Sequence, residues 1–329
     1  MAGMGLSGLA MPAGFAAGSS VDKPKKQQKQ MQNSSTKEKL LLDTDIGSDI
    51  DDSLCLTYLL CQPQCEILGI TTVSGDSVNR AKLASVFLKA AGINNIPIYP
   101  GVEKPLIIEQ KQPVAHQVRY LAKWPHETKF PEGQAIEFMR RTIRENPNEI
   151  TLLAVGPLTN VALLFAVDPE IPALLKRLVI MCGVFTYTYQ GNPCLSEWNA
   201  RCDPHATAMV YNAPVKNIIS VGLDVTGQVV MEKDEIIKRF NTNLLKVVLD
   251  FSGVPDNTRK SIVYHDPLAA TVIFKKEICE FRRGHVEVET ANHRLEGLTY
   301  WKEDATGKNE VAFGVNRDMF VEHFFGTMR

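Results

Sequence analysis

The sequence has no surplus of either charge: 36 Lys and Arg stand against 37 Asp and Glu, a formal net charge of −1. A balanced chain presents no broad field to a polyanion, so neither polymeric nucleic acid nor an anionic membrane is an expected partner. Residues 1–17 are apolar but broken by Gly and Pro, carry no basic residue ahead of the apolar part, and are too short to cross a bilayer. They fit neither a signal peptide nor an anchor, and a transit role stays open. Paired CxxC spacings are also missing from the seven cysteines, of which Cys55, Cys61 and Cys65 fall in or just after one predicted helix. They read as reduced thiols, and the expected location is cytoplasmic. Residues 18–37 contain Ser, Gln and Lys with almost nothing apolar, too little to offset the entropy of ordering. The expectation is a disordered extension over residues 1–37 and one catalytic domain over 38–329.

What is present from Lys39 onward is a different pattern. Residues 40–42, 67–73, 96–99, 150–155, 178–181 and 218–221 are short apolar runs without alternation, as suits strands covered on both faces. Helical patterns lie between them, over 52–60, 78–91, 133–145, 158–166 and 204–211. The alternation predicts an α/β domain of three layers, with a mostly parallel central sheet flanked by helices. The stretch 110–128 is the least regular part of it.

The polar residues fall where such sheets bind ligands, beyond the carboxyl ends of the strands. The run LLLDTDIGSDIDDSLCL puts Asp43, Asp45, Asp49, Asp51 and Asp52 between the first strand and the first helix; the second strand ends in TTVSGD, delivering Asp76. Five carboxylates in ten residues repel one another unless a cation sits among them. Capping and the helix dipole explain one or two, for instance Asp49 and Asp51. Oxygen ligands alone select a hard ion, Ca²⁺ or Mg²⁺.

The motifs DTDIGSDIDD, ITTVSGD, GPLTNVA, VIMCG, SEWNARCDP and YHDPLAA occur in the order, and at roughly the spacing, of the inosine-uridine-preferring nucleoside hydrolases, which the chain resembles from about Lys39 to about Phe325. The resemblance implies a Rossmann-like nucleoside hydrolase fold and a Ca²⁺ ion held by Asp45, Asp52, Asp266 and the carbonyl of Val155. It makes Asp45 the general base on the attacking water as well. It implies that Asp51, Asn192, Glu197 and Asn199 hold the ribose and that Met181 lines the sugar pocket. A homodimer or homotetramer is implied too. Asp76 and Trp198 resemble the purine-preferring branch, whereas His265 stands where that branch has Trp. The opening motif is two residues longer than the common form, at Ser48 and Asp49, leaving Asp49 open as ligand, cap or supporting partner.

The chemistry asks for such residues on its own terms. Cleavage of an N-glycosidic bond passes through an oxocarbenium-like sugar and needs a nucleophilic water on one face and charge stabilisation beside the ring. A metal activates water and can be chelated by the 2′ and 3′ hydroxyls together. The departing base is a poor anion, so a proton donor is worth orders of magnitude. His265, beside Asp266, is the natural donor, with Tyr264 or another residue of the segment 251–264 able to join it. Taken alone, EWN reads as an exposed helix start, HDP as a helix entry, Met181 as core and His265 as a core histidine; their co-occurrence favours the site. His116, His126, His205, His285, His293 and His323 read as structural or solvent-facing. The expected activity is hydrolysis of purine ribonucleosides, inosine and guanosine above all. Two other classes fit parts of the pattern: a Mg²⁺ phosphohydrolase using Asp43 and Asp45 as a DxD pair, and a ribonucleoside-binding protein without turnover.

Overall fold

The computed structural model describes residues 37–328, so the expected extension lies, apart from Lys37, outside the described residues. One sheet organises the domain. Its strands are β1 (Glu38–Thr44), β2 (Cys65–Thr72), β3 (Ile98–Pro100), β4 (Ile150–Ala154), β5 (Arg177–Ile180), β6 (Ile218–Ser220), β7 (Cys279–Val288), β8 (Thr299–Glu303) and β9 (Asn309–Val315). Their spatial order is β8-β7-β9-β6-β5-β4-β1-β2-β3. Every neighbouring pair from β9 to β3 is parallel, and β7 runs antiparallel to both β9 and β8.

The unbroken apolar strands are sorted by their period of two. Leu40 and Leu42 of β1 point into one core, with Leu54, Leu59, Phe87, Leu268 and Phe320, while Leu41 points into the other, with Phe138, Met139 and Leu164. On β4, Leu153 joins the first core and Leu152 the second. Helices therefore cover both faces, as expected from runs without alternation.

Strands β7 to β9 and the helix Arg317–Thr327 were not among the expected elements. β7 mixes buried and exposed residues, with Arg282, Arg283, His285 and Glu287 among its ten. Being antiparallel with a wetted face, it lacks the apolar run that marks the central strands. Among the described residues, no helix is long and apolar enough to cross a membrane. All seven cysteines are free thiols.

Candidate active site

Strand order reverses at β1: the chain fills β2 and β3 on one side, then β4, β5 and β6 on the other. A crevice opens at such a switch point. Here it is a cavity of about 580 Å³, walled by Asp45 just past β1, Val155 past β4, Met181 past β5 and Leu223 past β6. The backbones approach so closely that a Cβ on Gly156 would stand 2.9 Å from Asp45 Oδ1 and 3.0 Å from Asp45 N.

Two helices aim their first turns into this cavity. Asp51–Cys61 carries Asp51 and Asp52, and His265–Phe274 carries Asp266; neither has a side-chain cap, so these acids are not spent on capping. The helix dipoles favour negative charge at both places. Asp51, Asp52 and Asp266 are all buried, with carboxylate oxygens within 4.8 Å of one another. Burial first, then repulsion from neighbouring acids, Asp45 and Asp49 included, pushes all three well above the usual carboxylate range. Thr44 Oγ1 donates to Asp52 Oδ1 at 2.5 Å, and backbone N–H groups reach Asp51. The set is all oxygen and short of positive charge, which fits a hard cation. The Val155 carbonyl accepts Asn199 Nδ2 at 2.8 Å and keeps a second lone pair.

The tight trio differs from the expected ligand set in one member, for it includes Asp51 and not Asp45. Asp45, 5% exposed, accepts Gln112 Nε2 at Oδ2, 2.7 Å away. Beneath it lies a cation absent from the sequence reading: Arg80, fully buried, gives Nε to the Ser74 carbonyl at 2.6 Å and Nη1 to the carbonyls of Asp45 and Ile46. Its charge draws Asp45 and Asp52 downward against the larger upward effect of burial. Replacing it strands the acids without a counter-charge and three carbonyls without a donor. Arg80→Met is expected to cost about 3–5 kcal/mol in urea unfolding, and an unchanged midpoint would show the cation to be dispensable.

On the sugar side, Glu197 does two jobs. It caps the helix Trp198–Cys202, accepting Asn199 N at 2.6 Å and Ala200 N at 3.0 Å, and it faces the cavity. Burial raises it to about 7 despite these bonds. Asn199 Nδ2 spans the carbonyls of Val155 and Met181, at 2.8 and 3.0 Å, and Met181 and the half-exposed Trp198 complete this wall.

Two expected residues are elsewhere. Asp76 precedes the helix Ser77–Ala90 and accepts Asn79 Nδ2 at 2.7 Å, outside the cavity lining. Asn192 lies exposed on a two-stranded ribbon, its amide turned to the Gln190 carbonyl. A turn after β2 that points Ser74 inward points Asp76 away, and the sequence order of the two gives no hint of which.

At the opposite wall, His265 Nδ1 meets Thr226 Oγ1 at 2.7 Å, and its ring lies 6.1 Å from that of Tyr189. Burial lowers its pKa to about 4. Tyr264 is no candidate acid, because its ring is fully buried against Phe320 and Phe324 and its hydroxyl meets Met231 Sδ. Asp49, in the lengthened loop, is neither cap nor member of the trio; it pairs with Arg259 at 2.6 Å and lines the cavity. Lys111, Gln112 and His116 line it too, from a stretch legible only as irregular. A long structureless stretch inside a compact domain is itself a signal of function; His116, read as structural or solvent-facing, illustrates it.

Comparison with known proteins agrees with this geometry. The chain is 30% identical over 286 residues to uridine nucleosidase 1 of Arabidopsis thaliana, covering 80% of this chain and 84% of that one. It is 29% identical over 307 residues to a pyrimidine-specific ribonucleoside hydrolase of Klebsiella pneumoniae, covering 86% and 96%. Among solved structures, a purine-preferring ribonucleoside hydrolase from Gardnerella vaginalis shares the fold with a TM-score of 0.76 at 23% identity, over 88% of this chain and 98% of that one. Residues 40–322 match the family model described as inosine-uridine preferring nucleoside hydrolase. With its Asp-rich cavity at the switch point, the chain belongs to that family, and it is a hydrolase acting on the N-glycosidic bond of ribonucleosides.

Proposed function

We propose that the cavity hydrolyses ribonucleosides with the help of a calcium ion held by Asp45, Asp52, Asp266 and the Val155 carbonyl, and that inosine and guanosine are its preferred substrates. The observation that carries the metal is the packing of three buried carboxylates, Asp51, Asp52 and Asp266, with Asp45 nearby, against the single charge of Arg80. When bound, calcium would supply an activated water and a positive centre for the vicinal ribose hydroxyls. Asp45 takes the proton of the attacking water, and the Gln112 bond keeps its carboxylate turned to the task. Asp51, Glu197 and Asn199 orient the ribose from the surrounding walls, and Met181 shapes its pocket. His265 offers a ring N–H to the departing base.

The purine preference rests on Trp198, an exposed aromatic face at the cavity wall on which a two-ring base stacks over a larger area. A pyrimidine preference is the second reading, favoured by Asp76, half of the purine-like pattern, turning to Asn79 instead of the cavity. The phosphohydrolase reading needs both acids of the DxD pair in the cavity, whereas Asp43 is buried behind it, accepting from Thr71 Oγ1 and Asn160 Nδ2, and the cavity's Lys111 is turned to the Arg201 carbonyl and Glu296. The non-catalytic reading is disfavoured by the meeting of Asp45, Asp52 and His265 in one cavity.

Incubation with inosine, guanosine, uridine and cytidine, with free base measured by chromatography, tests activity and preference together. Release from none of them overturns the reading, and uridine or cytidine outpacing both purines establishes the second. Calcium at a hundredfold excess over its Kd should stabilise by about 2.7 kcal/mol, raising Tm by roughly 5 °C for a chain of this size. Asp52→Asn should remove that rise; a rise that survives it places the ion elsewhere.

A further inference from the structure

Gln112 touches both the aromatic wall and the general base. Trp198 Nε1 donates to its Oε1 at 2.7 Å, and its Nε2 donates to Asp45 Oδ2 at 2.7 Å and to Ser74 Oγ at 2.9 Å. We propose that Gln112 is a positioning residue for the hydrolysis, fixing the Asp45 carboxylate through an amide whose orientation Trp198 dictates. This rests on Asp45 being the general base.

The argument is one of donor and acceptor polarity. An indole N–H only donates, so the amide atom facing it has to be the oxygen. The nitrogen is thereby turned the other way, where it has two hydrogens and finds two acceptors. The pattern continues consistently: Ser74 Oγ donates to Gln110 Oε1 at 3.4 Å, and Gln110 Oε1 accepts the Gln112 backbone N–H at 2.8 Å. A flipped amide would set N–H against N–H at Trp198 and oxygen against carboxylate at Asp45, losing both bonds. The main chain is fixed as well. Gly75 sits at a φ of +62°, and a Cβ there would stand 2.2 Å from the Gln112 carbonyl oxygen.

With Oδ2 tied to Gln112, the Asp45 carboxylate cannot rotate freely, and Oδ1 is the oxygen left to face the ion and its water. A base held in one orientation is preorganised for proton transfer, and misplacement of such a group is costly. A nucleobase stacked on Trp198 would steady the indole, hence the amide, hence the base. The wall that holds the leaving group is in this way connected to the group that activates the nucleophile.

The test is kinetic and spectroscopic. Gln112→Met, of similar length and without hydrogen bonds, should lower kcat about ten- to a hundredfold, the usual worth of a hydrogen bond to a charged group. The loss should be equal for the best natural nucleoside and for p-nitrophenyl riboside, with KM moving less than about threefold, because the step affected is water activation and not ground-state binding. Trp198→Phe, which keeps an aromatic face for the base but removes the N–H, should give a smaller kcat loss, and that loss should shrink when Gln112→Met is already present, with any change in stacking read in KM instead of kcat. Independently of turnover, the Trp198 indole N–H resonance of ¹⁵N-labelled protein should shift in Asp45→Ala.

Gln112→Met at wild-type kcat, with Asp45→Asn inactive, overturns the proposal and leaves the assignment of Asp45 standing. Additive losses in the double variant, or an indole resonance unmoved by Asp45→Ala, overturn it too. A fully active Asp45→Asn overturns the assignment of Asp45 and the proposal with it.

Discussion

Asp45→Asn is expected to abolish base release from every substrate, natural nucleosides and p-nitrophenyl riboside alike, with a loss on the order of ten-thousandfold or more. The amide keeps the size of the carboxylate and can still accept from Gln112, so the fold is retained while the negative oxygen that takes the proton is gone. The independence from leaving group is the informative part. Forming the nucleophile precedes any demand from the other side of the bond, and no good leaving group compensates for its absence. Residual hydrolysis of p-nitrophenyl riboside at a substantial fraction of the wild-type rate would move the general-base role to another acid, with Asp51 the next to examine.

His265→Ala should divide the same substrates. Natural nucleosides are expected to slow by about a hundredfold to ten-thousandfold, the worth of a positioned general acid, while p-nitrophenyl riboside, whose leaving group needs no proton, is spared. With its pKa pushed down to about 4 by burial, the ring of the free enzyme is neutral across the neutral range, so it meets the departing base as an imidazole N–H hydrogen-bond donor, and full proton transfer draws on the imidazolium that the growing negative charge of the base favours. Nδ1 is engaged with the Thr226 hydroxyl 2.7 Å away, which leaves Nε2 as the nitrogen for the base. Equal slowing of both substrates would reassign His265 to supporting Asp266, and no slowing of either would make it a core histidine.

The parallel strands β1 to β6 and the helices between them were legible because each such strand is a short uninterrupted apolar run and each such helix a longer, largely buried stretch, and the Asp-rich motif because charge so dense has few structural uses. Asp45, Asp51, Asp52, Val155, Met181, Glu197, Trp198, Asn199, His265 and Asp266 all line the one cavity. Residues contributed by irregular chain were not legible. Gln112 has no periodicity to betray it, and its role exists only where a turn after β2 brings Ser74 beside it. Arg80 sits within a helix among ordinary residues, and nothing in the neighbouring letters says that its guanidinium is folded under the acids. Asp76 and Asn192 show the reverse case, residue types matched to a motif and then turned elsewhere by the local backbone.

The ends of the sheet carry a further consequence. At one margin β3 has three residues and finishes in Pro100, which has no N–H to offer a neighbour. At the other, β8 bears Lys302 and Glu303, charges that resist the docking of another strand. Neither margin invites a second copy to continue the sheet. Any contact between copies of this chain is therefore expected through helices and loops, with each sheet ending within its own protomer.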